Sequence, residues 1–242
     1  MTGIQRDGHT AAFVVRTFLG AVLCLALHAC STQTPVPDWS LKASDAAQRA
    51  MAAQLEGELR VAAQEWRNAQ TEISKTGQPG LVARLALMRC AMRVASLDWA
   101  RCDAFDAVVQ DASPEDAAYA RYLYGGLQAA DVPLLPAAHQ PVAQTLVAAC
   151  AGTGEQLQAV QDAHARMVAA AAALRMQCLS PEETWPAVDS VATAQGWRLP
   201  LMAWMVLLQQ RAQQAGNTQA AELLQRRLAV LQWQPAQEKT AP

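Results

Sequence analysis

From residue 40 to about residue 233, apolar side chains recur every three to four positions, which is the period of a helix and not of a strand. Residues 40–56 place Leu41, Ala46, Ala47, Ala50 and Met51 on one stripe, and Gly57 stands where that helix should stop. Residues 58–75 carry Leu59, Ala62, Ala63, Trp66, Ala69 and Ile73 on one face. Gly77-Gln78-Pro79-Gly80 reads as a turn. Residues 81–97 form a third helix, with Leu85, Met88, Met92 and Ala95 or Ser96 facing inward. Residues 98–112 read as a break and a short helix, with Phe105, Val108 and Val109 apolar.

Helix starts and stops punctuate the second half. Ser113-Pro114-Glu115-Asp116 joins a hydroxyl cap, a proline at the first position and acids in the first turn. Its helix carries Tyr119, Tyr122 and Leu123 and stops near Gly125-Gly126. Residues 131–136, with Pro133 and Pro136, read as an ordered loop and a candidate boundary between two subdomains. Residues 137–151 are expected to be helical up to Gly152-Thr153-Gly154. Residues 155–178 read as one long helix, with Leu157, Val160, Ala163 or His164, Met167, Ala171 and Leu174 in its stripe. Ser180 and Glu183 form a capping box, Pro186 is a candidate kink, and Gly196 ends that helix. Residues 199–215 bury Leu201, Trp204, Met205, Leu208 and Ala212. Asn217 or Thr218 caps a last helix that presents Ala221, Leu224, Leu228 and Leu231. Pro235 ends it, and residues 234–242 form a polar tail. The expected fold class is all-α, built of antiparallel helical hairpins.

The first 29 residues obey another pattern. Arg6 and Arg16 face one acid, Asp7, and an uncharged apolar run follows over residues 17–27. A basic flank, a short apolar core and a small residue before a cut describe a secretory signal peptide. The run is too short for a span, which needs roughly 17–25 residues. Leu27-His28-Ala29-Cys30 closes it. These four residues resemble a bacterial lipobox, with the branched residue three before the cysteine and the small one directly before it. The resemblance implies cleavage between Ala29 and Cys30 and fatty acylation of Cys30, as with palmitate. Cys24 lacks the pattern because Leu23 precedes it. Residues 30–39 then carry the anchor and a linker containing Pro35 and Pro37. By the same resemblance, Ser31, where an aspartate would favour the inner membrane, implies the periplasmic face of the outer membrane.

Gly57, Ala62, Trp66 and Ala69 follow the glycine–small–aromatic–alanine spacing of a repeat's second helix, and Gly216, Ala221, Gln225 and Leu228 echo it without the aromatic. This resembles the tetratricopeptide repeat and implies a repeat-like array of hairpins. Ala50 and Ala53 stand where that family has glycine and tyrosine.

Composition narrows the function more than it identifies one. The formal net charge is −2 and no basic block is present, so nucleic-acid binding through a phosphate-facing stripe has no support. Export would leave Cys90, Cys102, Cys150 and Cys178 in an oxidising compartment. Three pairings are open, and Cys90–Cys102 with Cys150–Cys178 is favoured, since the chain can fold back at Asp98-Trp99. Metal binding is the weaker alternative, with no C-x-x-C pair and only His139 and His164 after residue 30.

No hydrolase elbow, phosphate loop, zinc-protease helix or calcium loop is present, so no catalytic residue and no cofactor is assigned. Gly152-Thr153-Gly154 lacks the preceding strand of a phosphate site. Glu65 with Glu72, and Glu182 with Glu183, read as solvated or capping acids and not as a glycosidase pair. Trp66, Trp185, Trp197 and Trp204 read as fillers where helices meet, while Trp185 and Trp197 could instead line a partner groove. The leading expectation is a lipid-anchored, non-catalytic helical scaffold that binds another envelope protein. The alternatives are a peptidoglycan-acting enzyme or its accessory subunit, and a small-ligand carrier with a Trp-lined cavity.

Overall fold

The computed structural model describes residues 35–232, and the protein is all-α. The lipobox, Cys24, Ser31 and the tail at 234–242 lie outside the described residues. The helices are α1 (Asp38–Glu56), α2 (Leu59–Ser74), α3 (Pro79–Ala95), α4 (Asp103–Asp106), α5 (Pro114–Tyr124), α6 (Gln140–Val147), α7 (Thr153–Ala159), α8 (Ala163–Arg175), α9 (Pro181–Gln195), α10 (Arg198–Gln214) and α11 (Thr218–Gln232). Short 3₁₀ turns occupy Val109–Asp111 and Ala129–Leu134. No helix among the described residues is long and apolar enough to cross a membrane.

The N-terminal hairpin is α1 and α2, turned by Gly57 at a φ of +87°. Glycine is suited to this left-handed turn, and the Arg198 guanidinium of α10 lies 3.3 Å from where a Cβ would stand. Small residues let the two helices approach: Ala46, Ala50 and Ala53 are buried on α1, and Ala62 and Ala69 on α2. Trp66 fills the gap and donates its Nε1–H to Oε1 of the buried Gln54 at 2.9 Å, which satisfies both polar groups. Leu41 was expected on the α1 stripe but is 51% exposed, because the true stripe runs through Ala43, Ala47 and Ala50.

The centre is α8. Ala165, Met167, Val168 and each alanine from 169 to 173 are buried, so it has almost no polar face. Such a helix must be enclosed, and α3, α5, α7 and α9 pack around it. From α9 the chain passes to a second hairpin, α10 and α11, and α10 returns to touch α1.

Several expected elements differ. Residues 155–178 are not one helix. The chain is extended at Val160, and Asp162 caps α8 by accepting the Ala165 N–H at 2.7 Å. Arg166 Nε donates to the freed Val160 carbonyl at 2.7 Å, so the break leaves this backbone group satisfied. The helix expected over 137–151 is shorter, because Ala149 and Cys150 turn the chain at positive φ.

Residues 131–136 read as a candidate subdomain boundary, but residues 38–232 form one compact unit. Asp131 is the reason. Only 3% exposed, it accepts the Gln128 N–H at 3.0 Å and Arg121 Nε at 2.9 Å, which ties this 3₁₀ turn to α5. Of the apolar residues in the 98–112 segment, Phe105 is buried and Val109 is 51% exposed on its own turn. The starts at Ser113 and Ser180 and the stops at Gly125 and Gly196 stand where the sequence puts them, both glycines being left-handed.

Candidate functional site

Helix α3 is the spine of the site. Arg84, Met88 and Met92 stand one turn apart on one face of it. Three neighbouring clefts meet at Met88. One, of about 310 Å³, lies between α1 and α3 and is lined by Trp39, Ala47, Met51, Leu81 and Leu85. A second, of about 480 Å³, lies toward α5 and is lined by Leu87, Tyr119, Leu134 and Pro136. The third, of about 300 Å³, is bounded by Met51, Met88, Met92, Tyr119, His139 and His164. Together they make an apolar trough with methionine at its middle. Methionine is flexible and polarizable, and it adapts to varied apolar partners.

Four charged residues line the trough: Arg84, Glu115, the buried Asp116 and Asp162. Arg84 Nε lies 3.2 Å from Asp116 Oδ1, and the Ser113 hydroxyl meets the other carboxylate oxygen at 3.1 Å. Glu115, beside them, is held below the usual carboxylate range by backbone amide and Ser113 hydrogen bonds at the start of α5. Asp162 is exposed at the edge of the third cleft.

The floor is aromatic and polar without being charged. Tyr119, Tyr122 and His139 form a cluster, with the His139 ring centroid 5.3 Å from that of Tyr119 and 5.2 Å from that of Tyr122. His139 is 5% exposed, and burial pulls its pKa down to about 4 against the opposing field of Asp162. His164 lies 4.7 Å from the Trp197 ring, and burial lowers its pKa as well. Both imidazoles are therefore neutral at pH 7, and burial likewise pushes the Tyr119 and Tyr122 hydroxyls up and keeps them protonated. Two polar atoms here are sealed without a partner, Tyr122 Oη and His139 Nδ1. Buried polar atoms are nearly always paired, so such an exception marks a place to look for a ligand.

Other expected site residues fall elsewhere. Cys90 is disulfide-bonded to Cys102 and Cys150 to Cys178, with Cα–Cα separations of 5.9 and 5.1 Å. The first bond ties α3 to the start of α4, and the second ties the turn after α6 to the end of α8. The groove proposed between Trp185 and Trp197 is not formed. Trp197 is 4% exposed under His164, and the half-buried Trp185 is covered by the Arg227 guanidinium at 5.3 Å. Packing won over exposure because Trp197 immediately follows the Gly196 cap, which turns it back into the core.

The paired acids are engaged too. Glu65 meets Arg49, Glu72 meets Lys75, Glu182 meets Arg211, and Glu183 closes the Ser180 box. Among the described residues no group of three or more His, Cys, Asp or Glu is placed to hold a metal ion.

Sequence reasoning missed the trough. Met88 and Met92 read as inward-facing, and His139 was assigned no role. The available signal was the i, i+4 pair Met88 and Met92, together with Tyr119 and Tyr122 one turn apart. Compared with family models, curated proteins and solved structures, the chain matches none.

Proposed function

We propose that this protein is a lipoprotein of the bacterial envelope, held by acylated Cys30 at the periplasmic face of the outer membrane. Its helical domain acts as a non-catalytic scaffold and takes an apolar segment of another envelope protein into the trough at Met88. The reading rests on one observation above all: three mainly apolar clefts of about 310, 480 and 300 Å³ converge on a single half-buried methionine, and Arg84, Glu115, Asp116 and Asp162 are the only charged residues lining them. Open apolar grooves of this kind accept the apolar face of a partner helix. The α1–α2 and α10–α11 hairpins are read as tetratricopeptide-like units.

Two experiments test this reading. Cells fed an alkyne fatty acid should label the wild-type protein and not Cys30→Ser. A photo-crosslinking residue at position 88 or 134 should capture one envelope protein in intact cells. The same residue at Val230, which is exposed on α11, should not capture it. Equal capture from all three sites would remove the trough from consideration.

A further inference from the structure

The third cleft, which shares Met88 with the docking trough, also holds a soft donor set. Met51 reaches it from α1, Met88 and Met92 reach it from α3, and His139 and His164 complete the wall of a space of about 300 Å³. Thioether sulfur is a soft, uncharged donor that selects soft cations over hard ones. No lysine or arginine lines this cleft, and the one formal charge on its edge is the carboxylate of Asp162. His139 is the second observation. It lines the cleft, and its buried Nδ1 has no hydrogen-bond partner. A neutral imidazole is also the form that ligates metal.

We propose that this cleft binds one soft monovalent metal ion, copper(I) or silver(I), through the thioethers of Met51, Met88 and Met92 and the imidazole of His139. Met51, Met88 and Met92 line the same cleft from two helices, and methionine's three rotatable side-chain bonds let its sulfur adapt to a bound ion. A monovalent ion also brings less charge into an apolar wall than zinc or calcium would, and Asp162 at the rim offsets it. Divalent hard ions find no carboxylate cluster here. The site depends on neither the lipid anchor nor a docked partner, so failure of the crosslinking experiment at position 88 would leave it standing.

The test uses the full-length chain in detergent with Cys24→Ser and Cys30→Ser. The other four of its six cysteines are disulfide-bonded, so no free thiol competes. Silver nitrate is added without reductant and followed by NMR of the methionine methyl groups. At one equivalent, the methyl signals of Met51, Met88 and Met92 should move together. Those of Met167 and Met205, buried elsewhere, should stay in place. Copper(I), added anaerobically against a chromophoric chelator, should bind at the same stoichiometry.

Met88→Leu and Met92→Leu conserve volume and should keep the fold. Each should weaken binding by at least about tenfold, and His139→Leu should do the same. Unmoved methyl signals in the wild-type chain would overturn the proposal whatever the variants do. So would unchanged affinity in a folded Met88→Leu/Met92→Leu double variant.

Discussion

Trp204 of α10 donates its indole Nε1–H to the carbonyl oxygen of Ala95, at the end of α3, across 3.2 Å. The two residues are 109 positions apart. The Ala95 carbonyl belongs to the last turn of its helix, where no intrahelical partner exists. One wholly buried side chain therefore caps α3 and holds the C-terminal hairpin against the spine of the trough.

Trp204→Phe keeps an aromatic ring, though one smaller than indole, and removes the donor. The expected cost is about 1–3 kcal/mol, since the Ala95 carbonyl is left buried and unpaired. A loss of that size lowers the melting temperature by about 2–4 °C per kcal/mol in a domain of this length. Thermal unfolding followed by circular dichroism measures it. A change under 1 °C would show that the bond is replaced by water.

The two disulfides should differ in strength. Cys90–Cys102 closes a separation of 12 residues and Cys150–Cys178 one of 28. Chain-entropy scaling gives about 3 kcal/mol for the shorter loop and about 3.5 kcal/mol for the longer. Denaturant melts of the two double-alanine variants should rank in that order, and non-reducing peptide mapping should recover these two pairings and neither alternative.

Acid should weaken the fold before its carboxylates titrate. The pKa of His139 is near 4 in the fold and near 6.5 when unfolded, because burial disfavours the charged ring. Above pH 6.5 both states are neutral, and its contribution to stability is fully present. Between pH 6.5 and 4 only the unfolded chain takes up a proton, so that contribution falls, by about 3 kcal/mol in all. His139→Leu should flatten the slope of stability against pH over this window. Part of the slope should remain from His164, whose pKa burial also lowers. An unchanged slope in His139→Leu would mean that the ring is already solvated.

Asp162 separates α7 from α8, and its side chain accepts the Ala165 N–H. Asp162→Ala should cost about 1 kcal/mol, as for other lost N-caps. It should also raise amide exchange at Ala165 and Arg166 more than at Met167, which native-state hydrogen exchange can resolve.

Short-range physics explains what was legible. Ser113, Ser180 and Asn217 accept backbone N–H groups three residues ahead, so their roles are written within one turn of chain. Gly57, Gly125 and Gly196 take left-handed conformations that most other residues resist. The helical period needs only a face to bury, and this makes the all-α class readable from spacing alone. Asp162 was misread for the same reason: the buried Leu157 and Val160 fit a stripe that continues into α8, and the period outweighed one capping residue.

The amino-acid sequence by itself determined that this chain is helical and where most of its helices begin and end, because those choices are settled by hydrogen bonds closed within a few residues. Tertiary structure alone decided which faces meet: that Trp197 goes under His164, that Asp131 binds a suspected boundary to α5, and that Met51 comes to stand across from Met88 and Met92. Methionine reads as one apolar letter whether it fills a core or lines a cleft, and only the packing of helices distant in sequence separates the two.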